Sequence, residues 1–327
     1  MNKASKNYSH WPKWQVFGIN QSMEKLQTVF DYLNGKGWVP LDDVDEQLSF
    51  LGKSETHENY LITAHELYGD TQFVFRVNFD SHLGITDQID YEFTVLQALR
   101  NSGVTPRPFY SDSTSVEALG KGVMLMEHMP GRTFKYADDW NVAATVLAAI
   151  HSQPVDGRLL IQEKPLATMY GECAGLADRF DVIRHEHLQA EYLSCLEDLQ
   201  ALVLEVKDLI ADDSPVIIHG SFLASDFIVD EECDAAWLVD WENSMISSRY
   251  LDLGQFMIQA ALCGDIGFCR TSDEKMQFIK VYCHAVDADI DVDDVLRKAM
   301  FFEQALELKA MIHNCVALTG NVVGIHR

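Results

Sequence analysis

The stretch from Pro215 to Leu253, PVIIHGSFLASDFIVDEECDAAWLVDWENSMISSRYLDL, constrains the fold more than any other part of the chain. Its apolar runs, Val216–Ile218, Phe227–Val229 and Trp237–Val239, are too short for helices, and polar turns separate them. They predict a small β-ribbon set inside otherwise helical sequence. His219 and Gly220 end the first strand, Asp226 opens the second and Asp240 ends the third. Two carboxylates at the rims of paired strands can converge on one divalent cation, and hard oxygen ligands suit Mg2+.

The rest of the chain separates into a strand-rich first part and a helix-rich second part. Met23, Leu26, Val29, Phe30 and Leu33 recur near a 3.6-residue period and predict a helix over 22–36, stopped by Asn34-Gly35. Strand-like pieces follow at Gln47–Leu51, Asn59–Ala64 and Gln72–Phe79, with a polar turn from Gly52 to Glu58. Residues 88–101 predict a helix closed by Gly103, Pro106 and Pro108 mark an extended segment, and Gly122–Glu127 reads as another strand. Helical patterns then dominate, at 141–151, 186–211, 251–262, 274–286 and 293–317. The expected class is α+β in two lobes, with the boundary near residues 128–135. The corresponding division is an N-terminal extension and helix over 1–44, a β-rich lobe over 45–130 and a mainly helical lobe over 131–327.

Charge narrows the partners. The chain holds 50 acidic against 25 basic residues, a formal net charge of −25. Such a surface repels nucleic-acid phosphates and anionic lipid, and favours a cationic or neutral small molecule. The seven cysteines form no CxxC pair and read as reduced intracellular thiols, neither a disulfide framework nor a zinc site. Residues 1–14 lack the apolar core of a signal peptide, and the longest apolar run, Val142 to Ile150, is too short to span a bilayer. A cytoplasmic location is expected. His185-Glu-His187 resembles a metal spacing, but residues i and i+2 of a helix point apart, so it reads as surface.

The ordered set His219-Gly220-Ser221, Asp226, Asp240-Trp241-Glu242 and Asp252-Leu253 resembles the aminoglycoside phosphotransferase and choline kinase family. The resemblance extends over about residues 45–320 and implies a protein-kinase-like fold using ATP and Mg2+. It implies nucleotide-covering residues at Gly52 and Ser54, and an adenine-binding hinge at Glu127 and Met129. Arg76 stands where the family holds the α- and β-phosphates, and Glu92 where it pairs with that cation. Asp226 and Asp240 stand at the metal positions. Glu242 is the leading candidate to meet a cationic acceptor, ahead of Glu172, Asp178, Asp181 and Asp265. By the same resemblance, His219, His151 and Asp252 are supporting residues.

One departure falls on the catalytic loop. The family's H-G-D-x-x-x-x-N reads His219-Gly220-Ser221 followed by Asp226, so a serine occupies the position of the base and an aspartate that of the metal-binding asparagine. Ser221 and Asp226 are therefore the candidate catalytic residues. Two readings follow: a phosphotransferase with altered loop chemistry, acting on a hydroxyl of a small molecule, or a catalytically impaired relative that binds nucleotide or metabolite as a regulatory module. A serine hydrolase built on Ser221 and His219 is disfavoured, because no G-x-S-x-G elbow is present.

Overall fold

The computed structural model describes residues 22–66, 69–114, 119–136, 138–180, 186–232, 235–262, 271–286 and 290–319. The chain begins with α1 (Ser22–Lys36), α2 (Val44–Gln47), β1 (Leu48–Lys53), β2 (His57–Glu66), β3 (Gly69–Asn78), α3 (Gln88–Leu99), β4 (Pro108–Asp112) and β5 (Gly122–Glu127). It continues with β6 (Arg132–Thr133), α4 (Trp140–His151), α5 (Pro165–Ala174), α6 (Glu186–Val206), β7 (Val216–Ile218), β8 (Phe227–Asp230) and β9 (Ala235–Leu238). It closes with β10 (Met245–Ser247), α7 (Arg249–Leu262), α8 (Ser272–Val286) and α9 (Val292–Leu318). This is the expected α+β order. The predicted extended segment at Pro106–Pro108 leads into an edge strand, where a proline removes no ladder bond.

The chain divides into two compact units, Met1–Phe134 with Ser225–Asn243, and Lys135–Ala224 with Ser244–Arg327. The linear division expected from sequence placed all of 131–327 together. Instead β8 and β9 join the first unit, because Arg132 pairs with Val229 across β6 and β8, and the Leu238 N–H bonds the Val104 carbonyl at 2.9 Å.

In the first unit a five-stranded antiparallel sheet runs β1-β2-β3-β5-β4. Alternation assigns its two faces. Tyr60, Ile62, Phe75, Val77, Val123 and Leu125 point to one face and bury Val29 and Leu33 of α1. Asn59, Arg76 and Met124 lie directly opposite one another on β2, β3 and β5, so the same alternation turns them to the other face. The strand pattern that builds the core thus also aims a cation away from it.

In the second unit α4 packs on α8, and α6 and α7 pack on α9. Ala143, Ala144, Leu147 and Ile150 supply the fully buried stripe of α4. At Gly254 a Cβ would lie 2.7 Å from the Glu303 nitrogen, so glycine sets how closely α7 approaches α9. Asp291 caps α9 by accepting from the Asp293 and Asp294 N–H groups. The antiparallel pair β7–β10 brings Ile218 opposite Met245. Cys173, Cys195, Cys283 and Cys315 are all buried free thiols, and burial pushes Cys173 and Cys283 up to about 11. Among the described residues no helix is long and apolar enough to cross a membrane.

Candidate active site

Arg76 is the centre of the first unit's polar face, and only 3% of it is exposed. Its Nε donates to Asn59 Oδ1 at 3.1 Å, and its Nη1 donates to Glu92 Oε1 at 2.7 Å and Asp240 Oδ1 at 2.9 Å. Burial opposes the charge of Arg76. The surrounding carboxylates of Glu92, Asp240 and Glu242 outweigh it and hold the guanidinium above its ordinary value. Glu92, on α3, is also buried, and burial lifts its carboxyl above the usual range despite Arg76. Asp240 is less enclosed and sits at φ 74°, a left-handed conformation that aspartate tolerates better than most side chains.

Gly52, Arg76, Glu127, Met129, Asp226 and Asp240 line one cavity of the first unit. The cavity therefore has a cation, three carboxylates and apolar walls that include Val74, Met126 and Ile228. This donor set fits a Mg2+–nucleotide: hard oxygens for the metal and a guanidinium for phosphate. The Glu127 carboxylate is occupied by Arg107, whose Nε and Nη2 donate at 3.0 and 2.9 Å. The Glu127 N–H also donates to the Arg107 carbonyl at 2.8 Å. Burial pushes the neighbouring His128 imidazole down to about 4.

Ser54 does not line this cavity. Its Oγ lies 3.0 Å from His57 Nδ1 and accepts from the Thr56 and His57 N–H groups, which fixes the β1–β2 turn. Glu242, expected to meet the acceptor, is buried against the same turn. Its Oε2 accepts from Thr56 Oγ1 at 2.7 Å and lies 3.3 Å from His57 Nδ1. Burial would raise the Glu242 carboxyl, but the bonds with His57 and Thr56 prevail and hold it below its ordinary value. Ligand atoms of His57, Asp240 and Glu242 all lie within 4.8 Å of one another. Sequence reading missed His57 and Asn59. The register of the β2–β3 hairpin, which sets Asn59 opposite Arg76, is the signal that finds the second.

Ser221 belongs to the second unit, in the loop after β7. That loop is anchored by Asp252, which is fully buried and accepts from the His219 N–H at 2.8 Å and the Gly220 N–H at 3.0 Å. His151 Nε2 lies 3.2 Å from Asp252 Oδ2, and its Nδ1 lies 2.9 Å from the Tyr282 hydroxyl. Gly220 has φ 84°, which a side chain would strain. Glu172 is exposed and paired with Lys309, and Asp178 is exposed. Asp181, His185 and Asp265 lie outside the described residues.

These features define a kinase-like fold, and comparison with known proteins gives the family. Residues 48–290 match the model of the phosphotransferase enzyme family, and the chain belongs to that family. Its fold is shared with an ethanolamine kinase of Plasmodium vivax, at TM-score 0.65 and 15% identity over 96% of this chain and 87% of that one. A choline kinase of Cryptosporidium parvum gives TM-score 0.62 and 14% identity over 90% and 94%. A spectinomycin phosphotransferase in complex with ADP and spectinomycin gives 0.53 and 13% over 90% and 98%. Among curated sequences, acyl-CoA dehydrogenase family member 11 of Pongo abelii is 29% identical over 180 residues, and the Homo sapiens protein 28%. That alignment takes in 52% of this chain and 23% of those proteins, so the chain matches about a quarter of their length.

Proposed function

We propose that the chain moves the γ-phosphate of ATP to a hydroxyl group of a small molecule, with the nucleotide held by the first unit. The observation that carries this reading is the three-way bonding of Arg76 to Asn59, Glu92 and Asp240 in a cavity that Asp226 also lines. A Mg2+ ion held here would supply positive charge to offset the negative charge developing on the transferred phosphoryl group. Asp226 and Asp240 are the residues that would hold it. Arg76 donates to the α- and β-phosphates, and Glu92 and Asn59 keep its guanidinium oriented. The Gly52 backbone covers the phosphates, and the Glu127 and Met129 backbone meets adenine. Ser221 cannot accept a proton near neutral pH, so it orients the acceptor hydroxyl by a hydrogen bond only. Phosphoryl transfer depends mainly on positioning and electrostatics, so turnover survives at a reduced rate.

The acidic surface favours a cationic acceptor, an amino alcohol or amino sugar. A second reading, a nucleotide-binding regulatory module without turnover, is favoured by one observation, Ser221 itself. Thermal denaturation with and without Mg-ATP, followed by phosphate transfer to choline, ethanolamine and aminoglycosides, tests both. The kinase reading expects a rise in melting temperature that Arg76→Met removes, plus measurable transfer that Ser221→Asp increases by roughly 10²–10⁴-fold. No shift with Mg-ATP overturns both readings. A shift without transfer in the parent, with activity gained in Ser221→Asp, establishes the regulatory module.

A further inference from the structure

A cavity of the second unit carries a chemistry that the phosphotransferase reading does not use. It encloses about 510 Å3, within the range of roughly 300–1,000 Å3 typical of small-molecule sites. It sits at the Pro215 end of β7, and the loop bearing Ser221 leaves the other end of that strand. Glu172, Asp178 and Glu242, the described acceptor candidates, do not line it.

Its charge opposes that of the whole chain. Lys164, Lys207 and Arg249 line the wall, together with Glu163 and Asp213. Asp213 shares Lys298 with Asp294, each at 2.8 Å from its Nζ. Three cations therefore face Glu163 and a partly neutralised Asp213 in a protein of net charge −25. Lys164 and Lys207 make no ion pair among the described residues. The N-terminus of α5 opens on the same wall with no capping side chain, and Pro165 at its first turn leaves the Leu166 and Ala167 N–H groups as the first donors. Ser248, also on the wall, has a buried Oγ with no hydrogen-bond partner. Leu166, Val203 and Ile210 supply an apolar part of the wall.

We propose that this cavity binds a small molecule with an anionic head and an apolar body. The head meets Lys164, Lys207, Arg249 and the start of α5, and the body lies against Leu166, Val203 and Ile210. The inference is independent of whether the chain transfers phosphate.

Fluorescence titration of the full chain with 8-anilinonaphthalene-1-sulfonate tests it, with N-phenyl-1-naphthylamine as the uncharged counterpart of the same aromatic body. The sulfonate is expected to bind saturably at one site, roughly tenfold or more tighter than the neutral probe, and to remain bound under saturating Mg-ATP. Lys207→Glu, at an exposed position, should weaken sulfonate binding by a similar factor with an unchanged melting temperature. Val203→Trp should abolish it by filling the cavity. Equal binding of the two probes, displacement by Mg-ATP, or full affinity in folded Lys207→Glu would overturn the proposal.

Discussion

Two buried ion clusters, one in each unit, are built on opposite principles. Around Arg76 the charges exceed what the fold alone requires: one guanidinium meets Glu92 and Asp240, and Glu242 adds to the same field. Asp240 keeps part of its carboxylate open to a cavity. Around Asp252 the carboxylate is consumed. Both oxygens accept backbone N–H groups, and His151 closes the remaining side. The first cluster holds charge ready for a ligand, and the second holds a loop in shape. The loop that bears Ser221 is thus held at His219 and Gly220 by a carboxylate with no free oxygen.

The sharpest way to break that contrast is to remove one charge from each cluster. Arg76→Met strands Glu92 in a buried site, and stability should fall by about 3–5 kcal/mol in denaturant titrations. The same variant should lose its Mg-ATP stabilisation. Asp252→Asn should cost about 3 kcal/mol, because an amide can satisfy only one of the two N–H groups and turns its own donors on the other. Its response to Mg-ATP should persist. If Asp252→Asn abolishes nucleotide binding while Arg76→Met leaves it intact, the division of roles is reversed.

A smaller effect comes from His128, whose imidazole burial pushes down to about 4. The unfolded chain binds its proton near pH 6.5, so the folded state is favoured fully above that pH. The contribution is lost as pH falls from about 6.5 towards 4, and amounts to about 2–3 kcal/mol. Denaturation at pH 7 and pH 4.5 should show a smaller acid-induced loss in His128→Asn than in the parent. Equal losses would place His128 outside the pH response of the first unit.

Asp226 and Asp240 are picked out in the sequence by their places at the ends of the ribbon strands, and Arg76 by its resemblance to the family's phosphate-holding position; strand alternation then explains why Arg76 faces away from the core. Glu242's partners were not legible. Thr56 and His57 precede it by 186 and 185 residues, and no local pattern encodes a contact of that range. α5 escaped notice because it begins at Lys164-Pro165 without a capping side chain and carries Gly171 in its last turns. β10 is only three residues long and takes its identity from pairing with β7. The expected lobe boundary missed the return of β8 and β9 to the first unit, since strand partners remote in sequence decide it.

The weakest expected effect defines the floor for the comparison. Glu172 and Lys309 form an ion pair at 3.0 Å on the surface of the second unit, with side chains 54% and 34% exposed. Water and salt screen such a pair, and holding two long side chains together costs entropy. Lys309→Ala should therefore change stability by no more than about 0.2–1 kcal/mol, less at high salt. The substitution also frees the Glu172 carboxylate. If Glu172 meets a cationic acceptor, KM for that acceptor should fall in Lys309→Ala with kcat unchanged, whereas an unchanged KM assigns Glu172 to the general acidic surface. A stability loss of several kcal/mol would mean that exposed pairs in this unit behave like the Asp252 cluster, and burial would no longer explain why the two clusters differ from the surface.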